Sequence, residues 1–95
     1  MASLIKPQGT KETITGTNKD GSLSLEQLQS LIGGYVEMLH CDPNRCDGHD
    51  HVFIDEDGKS KDLKINVYAT QMLAREFDPL RGNALFCKFK DGESF

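Results

Sequence analysis

Short runs of alternating or β-branched apolar residues punctuate this chain, and two longer stretches carry apolar residues at helical spacing instead. Ser3-Leu4-Ile5-Lys6, stopped by Pro7, and Glu12-Thr13-Ile14-Thr15 predict two strands. Asn18-Lys19-Asp20-Gly21 is turn chemistry leading into a helix. Ser24 is placed as the N-cap, Gln27 completes a capping box, and Leu25, Leu28, Leu31 and Ile32 form one apolar face. Gly33-Gly34 ends that helix, because glycine accepts the left-handed conformation just past a helix end.

Residues 35–40 predict a third strand and residues 52–55 its partner, with an irregular loop over 41–51 and a turn at Asp57-Gly58. Asn66 is placed to cap a second helix with Ala69, Met72, Leu73 and Phe77 on one side. Asp78-Pro79 stops it, since proline disfavours helical geometry in the residue before it. Residues 84–89 read as a last strand and 91–95 as a frayed tail. The order ββαββαβ predicts an α+β fold: a two-layer, mainly antiparallel sheet packed by two helices. No repeat, low-complexity tract or linker divides it, so residues 1–95 are expected to form a single domain.

Composition adds exclusions. With 37% hydrophobic residues there is apolar material for one core. No apolar run approaches membrane-spanning length and none resembles a secretory signal. Three cysteines without such a signal favour a reducing compartment, so a cytoplasmic, non-secreted protein is expected. The net charge of -4 argues against direct nucleic-acid binding, which calls for a basic stripe. That charge is concentrated: residues 37–62 hold eight acids and three bases, while the remainder holds seven acids and eight bases. A solvated acidic loop, an electronegative docking face and a cation site are all consistent with it.

Residues 16–27 resemble an EF-hand calcium loop, with Asn18 and Asp20 at the third and fifth ligand positions and Gly21 at the sixth. Gly16 and Gln27 stand where the first and twelfth positions require carboxylates, and the preceding segment is strand-like. A turn feeding a capped helix explains the same residues.

The window 40–51 contains all three histidines and two of the three cysteines. Cys41, Cys46, His49 and His51, with His40 as a substitute, supply the thiolate and imidazole groups that a tetrahedral zinc site uses. Copper or nickel would suit the same donors. An inert loop with reduced cysteines and a Cys41–Cys46 disulfide remain open alternatives. Cys87, between apolar neighbours, reads as a small core residue. No nucleophile stands beside a base on rigid support, and neither a P-loop nor a dinucleotide-binding glycine pattern is present, so no catalytic residue is assigned.

Several stretches resemble a known family. Leu25-Glu26-Gln27-Leu28-Gln29-Ser30-Leu31-Ile32-Gly33-Gly34-Tyr35-Val36-Glu37 is similar to the L-x-x-L-Q-x-x-V-G-G-Y-I-E signature of a small domain of unknown function encoded by bacteriophages and large DNA viruses, including those of algae. Ile54-Asp55-Glu56-Asp57-Gly58-Lys59 resembles its N-E-x-G-K turn, Asn66-Val67-Tyr68-Ala69-Thr70 its N-x-x-A-T helix start, and Gly82-Asn83-Ala84-Leu85 its G-D/N-x-L strand entry. The similarity covers about residues 22–87, and the loop 41–51 departs from it by its length and its cysteines. The resemblance implies a viral protein acting inside an infected cell, and no activity that transfers.

The function expected from these features is a virus-encoded, non-enzymatic accessory protein binding a host or viral macromolecule, with no membrane partner. Asp55, Glu56 and Asp57 would form its acidic contact face, and Tyr35, Glu37, Asn66 and Thr70 are the family-like positions that would complete a binding surface. Two other readings accompany it: a zinc-stabilised binding module built on the Cys41–His51 loop, and an acidic DNA-mimic inhibitor of a host defence enzyme. The second needs an extended carboxylate array.

Overall fold

The structure, a computed structural model, describes residues 2–19, 22–73 and 79–88. The expected Asp20-Gly21 turn, the Phe77 and Asp78 end of the second helix, the end of the last strand at Phe89 and the tail at 91–95 lie outside the described residues. The elements run β1 (Ala2–Ile5), β2 (Lys11–Ile14), α1 (Leu25–Ile32), β3 (Val36–His40), β4 (His51–Asp55), α2 (Val67–Met72) and β5 (Ala84–Cys87). The α+β class and the order ββαββαβ are as expected. The strands form one antiparallel sheet in the order β2-β1-β5-β4-β3. The last strand is inserted at the centre, with Leu85 opposite both Leu4 and Phe53.

Strand side chains alternate between faces, and here both faces are apolar. Ala2, Leu4, Phe53, Leu85 and Cys87 point to one side, where Leu23 and the α1 residues Leu28 and Ile32 cover them. Ile5, Val52, Ile54, Ala84 and Phe86 point to the other, beneath Ala69 of α2, Leu80 and Cys46. The helices therefore lie on opposite faces, and the two layers expected from the sequence become helix–sheet–helix. The cause is in β4 and β5, where every residue is buried. Strands apolar on both sides need cover on both sides, since each fully buried Phe or Leu contributes about 1.5–3 kcal/mol.

Side-chain hydrogen bonds set the ends of the helices. The Ser24 hydroxyl accepts from the Gln27 N–H at 3.1 Å, and Gly33, at φ 96°, caps α1 by donating to the Gln29 carbonyl at 2.7 Å. Gln27 does not complete the capping box. Its amide donates to the Thr15 carbonyl at 2.9 Å and accepts from the Thr17 N–H at 3.0 Å. Asn18 donates to the Ser22 hydroxyl at 3.0 Å. Two positions of the calcium-like pattern are thus engaged in holding the turn against the helix.

The Asn66 side chain is fully buried. Its oxygen accepts from the Ala69 N–H at 3.1 Å, and its nitrogen donates to the carbonyls of Ile5 and Gly82, each at 2.9 Å. The Thr70 hydroxyl accepts from the Leu80 N–H at 2.9 Å. The N-x-x-A-T stretch therefore ties the end of β1, the start of α2 and the entry to β5 together.

Candidate functional site

Alternation along the edge strand β3 sends Glu37 and Leu39 to the α2 face, opposite Ile54 and Val52 of β4. After β4 the chain winds through successive turns, with Gly58 N–H donating to the Asp55 carbonyl, Lys61 to Asp57 and Leu63 to Gly58. This coil and the segment 79–81 wall a cleft of about 270 Å³ above Leu39, Ile54 and Leu80, with Glu37, Glu56, Lys59 and Arg81 at its rim. Arg81 is turned to its own wall, donating to the Leu63 carbonyl at 2.9 Å and to Asp62 at 3.3 Å. Neither Glu37 nor Glu56 forms an ion pair among the described residues. An apolar floor below two unneutralised carboxylates suits an alkyl chain that ends in a cation.

The other acids of the expected contact face behave differently. The Asp55 side chain is only 1% exposed and its carboxylate meets the Lys61 ammonium at 2.8 Å, its second oxygen accepting from the Asp57 N–H at 2.8 Å. Lys61 also reaches the Gly33 carbonyl at 3.4 Å. Asp57 lies outward beside Tyr35, which is 69% exposed, and with Gln29, Gly34 and Lys61 they line a separate open depression. Asn66 and Thr70 are inside, committed to backbone partners. The seven expected binding residues therefore divide: Glu37 and Glu56 share the cleft, Tyr35 and Asp57 the depression, and Asp55, Asn66 and Thr70 hold the fold. Lys61 was not singled out from the sequence, although a basic residue six positions after a strand-ending aspartate is a local signal for such a pair.

The Cys/His loop is wound tightly. The Asp42 carboxylate accepts from the Asn44 N–H at 3.0 Å, and its carbonyl accepts from Arg45 and Cys46. The winding carries Cys46 under the sheet among Val52, Ala69 and Phe86, its thiol directed at the Met72 carbonyl 3.6 Å away. Cys41 packs against the same cluster and directs its thiol to the His49 carbonyl at 3.4 Å. All three cysteines are free thiols. Burial, and then the neighbouring Cys46 sulfur, pushes the Cys41 thiol up to about 12, and burial also raises Cys46. His49 bonds through Nδ1 to the Cys46 carbonyl at 2.8 Å.

His51 leaves this group because it alternates with Val52: it points to the α1 face, level with Cys87 and paired across the strands with His40. The sheet thus separates His51 from Cys41 and Cys46, and the four residues named for zinc are not brought together. Among the described residues no three His, Cys, Asp or Glu side chains stand close enough to hold a metal ion.

Comparison with known families matches the chain to the family described as Domain of unknown function (DUF3846), over residues 1–95. No curated protein and no solved structure matches the chain.

Proposed function

The chain belongs to this family of domains of unknown function, and on that premise we propose that it is a non-enzymatic binding protein whose Glu37–Glu56 cleft receives a lysine or arginine side chain of a partner macromolecule. The observation that carries this reading is the pairing of two unneutralised carboxylates with an apolar floor of Leu39, Ile54 and Leu80. The stem of a long basic side chain covers the floor and its charge meets the rim. A viral accessory role in an infected cell is part of the proposal and rests on the resemblance of the glycine-glycine-tyrosine and Asn66–Thr70 motifs. Pairing of Asp47, Asp55 and Asp62 with Lys11, Lys61 and Arg81 breaks up the acidic run. That favours a local cleft over an extended, DNA-like array of charge.

The test is fluorescence anisotropy with a short labelled oligolysine peptide at low salt, comparing the wild type with a Glu37→Lys, Glu56→Lys variant. At least a tenfold loss of affinity is expected, together with weakening of wild-type binding as salt is added. Equal binding by the two proteins would overturn the reading. Asp55 is left unaltered, because its reversal would break the buried pair with Lys61.

A further inference from the structure

On the face of the sheet opposite the cleft, the structure places two histidines side by side, and we propose that His40 and His51 bind a late first-row divalent metal ion, with Asp50 as the carboxylate that orients His51. The two residues are directly paired across the antiparallel strands β3 and β4. Such pairs bring their Cβ atoms within about 5 Å on the same face. Their rings lie 4.8 Å apart, centroid to centroid, tilted by 55°.

That separation is compatible with shared ligation. With a metal–nitrogen bond of about 2.0–2.1 Å, each imidazole centroid stands about 3.2 Å from the ion. Two such rings 4.8 Å apart then subtend roughly 95–100° at the metal, between square-planar and tetrahedral angles.

Asp50 supplies the second element. Its carboxylate is 2.6 Å from Nδ1 of His51. Nδ1–H donates to that oxygen, which assigns the ring lone pair to Nε2, the nitrogen that would meet the metal. A carboxylate behind a ligating histidine fixes the tautomer and strengthens the donor. His51 is buried and held in β4, whereas His40 is exposed on the edge strand, so one ligand is rigid and the other is open to solvent.

The chain contributes two nitrogens, and no third protein donor stands with them among the described residues. The remaining coordination positions are left for water or for a donor group from outside the chain. For an imidazole pair the order of affinity places Cu²⁺ above Zn²⁺. Of the metal-ligating residues expected from the sequence, this site uses His51 and the substitute His40, and none of the cysteines.

The experiment is calorimetric titration of untagged protein with Cu²⁺ and, separately, Zn²⁺, alongside electron paramagnetic resonance of the Cu²⁺ complex. Saturation at one ion per chain is expected, with nitrogen hyperfine coupling from two imidazoles. His40→Ala, an exposed substitution that leaves the core intact, should weaken binding at least tenfold. Asp50→Asn should weaken it severalfold, and His49→Ala should leave it within twofold of wild type. Binding that survives His40→Ala, binding lost in His49→Ala instead, or no saturable binding by the folded wild type would each overturn the proposal. Far-UV circular dichroism of each variant confirms that a loss of binding is not a loss of fold.

Discussion

The Lys61 ammonium lies 2.8 Å from the buried carboxylate of Asp55, and both groups rest against Gly34. A Cβ at Gly34 would stand 2.5 Å from Lys61 Nζ and 3.3 Å from Asp55 Oδ2. The two glycines after α1 therefore serve different purposes. Gly33 supplies a left-handed backbone, with nothing within 4 Å of its absent side chain, while Gly34 leaves room for an ion pair.

Gly34→Ala should displace Lys61 and leave Asp55 without its cation, costing about 1–3 kcal/mol. Gly33→Ala should cost about 1 kcal/mol through backbone conformation alone. The discriminating measurement is a double-mutant cycle in urea. In a Lys61→Met background the Gly34→Ala penalty should shrink by more than half, while the Gly33→Ala penalty should not change. Additive penalties for Gly34 and Lys61 would show that the glycine does not act through the pair.

Asn66→Ala removes an N-cap acceptor and two buried donors at once, leaving the carbonyls of Ile5 and Gly82 without that partner. The expected cost is about 3–5 kcal/mol, from a cap worth about 1 and buried groups worth about 1–3 each. Thermal unfolding should register it as a fall of well over 10 °C for a domain of this size. A shift of only a few degrees would mean that the buried groups find other partners.

The thiols of Cys41 and Cys46 should be inert in the folded protein near neutral pH, because burial favours their protonated form. With iodoacetamide at pH 8 they should react slowly when native and fully in urea. The pH dependence has a definite sign. The unfolded thiol ionises near its ordinary value of 9.0, and folded Cys41 only at about 12. The folded state therefore binds more protons across that interval. The contribution of Cys41 is complete below about pH 9 and falls as pH rises towards 12. Urea midpoints measured from pH 8 to 11 should decline, and Cys41→Ala should flatten the decline.

Calcium at about 1 mM, a concentration that fills weak calcium loops, should leave the melting temperature unchanged. Gln27 and Asn18 are engaged with Thr15, Thr17 and Ser22. Gln27→Ala should instead lower stability by about 1–2 kcal/mol with or without calcium, through loss of these two hydrogen bonds.

How much of this was legible beforehand depends on the range of the cause. Ser24, Gly33 and Asn66 act within a few residues of themselves, and their caps follow from side-chain chemistry alone. The strands and the helix starts of the described residues lie within a residue or two of the positions their patterns predict, while Leu73, expected within the second helix, caps its end. The runs at Val52–Ile54 and Ala84–Cys87 also held a signal for cover on both sides, since they do not alternate with polar residues.

The sequence by itself determined the α+β class, the element order, the helix starts and the turn residues, because those follow from local conformational preference and side-chain period. Only the tertiary structure decided that β5 enters between β1 and β4, that the helices take opposite faces, and that Asp55 belongs to Lys61 rather than to the acidic surface. It also decided which neighbours in the Cys/His loop meet. Cys46 turns under the α2 face while His51, one strand position from Val52, turns to the other and meets His40. Closeness along the chain counted for little there, because a sheet with apolar residues on both faces stands between them.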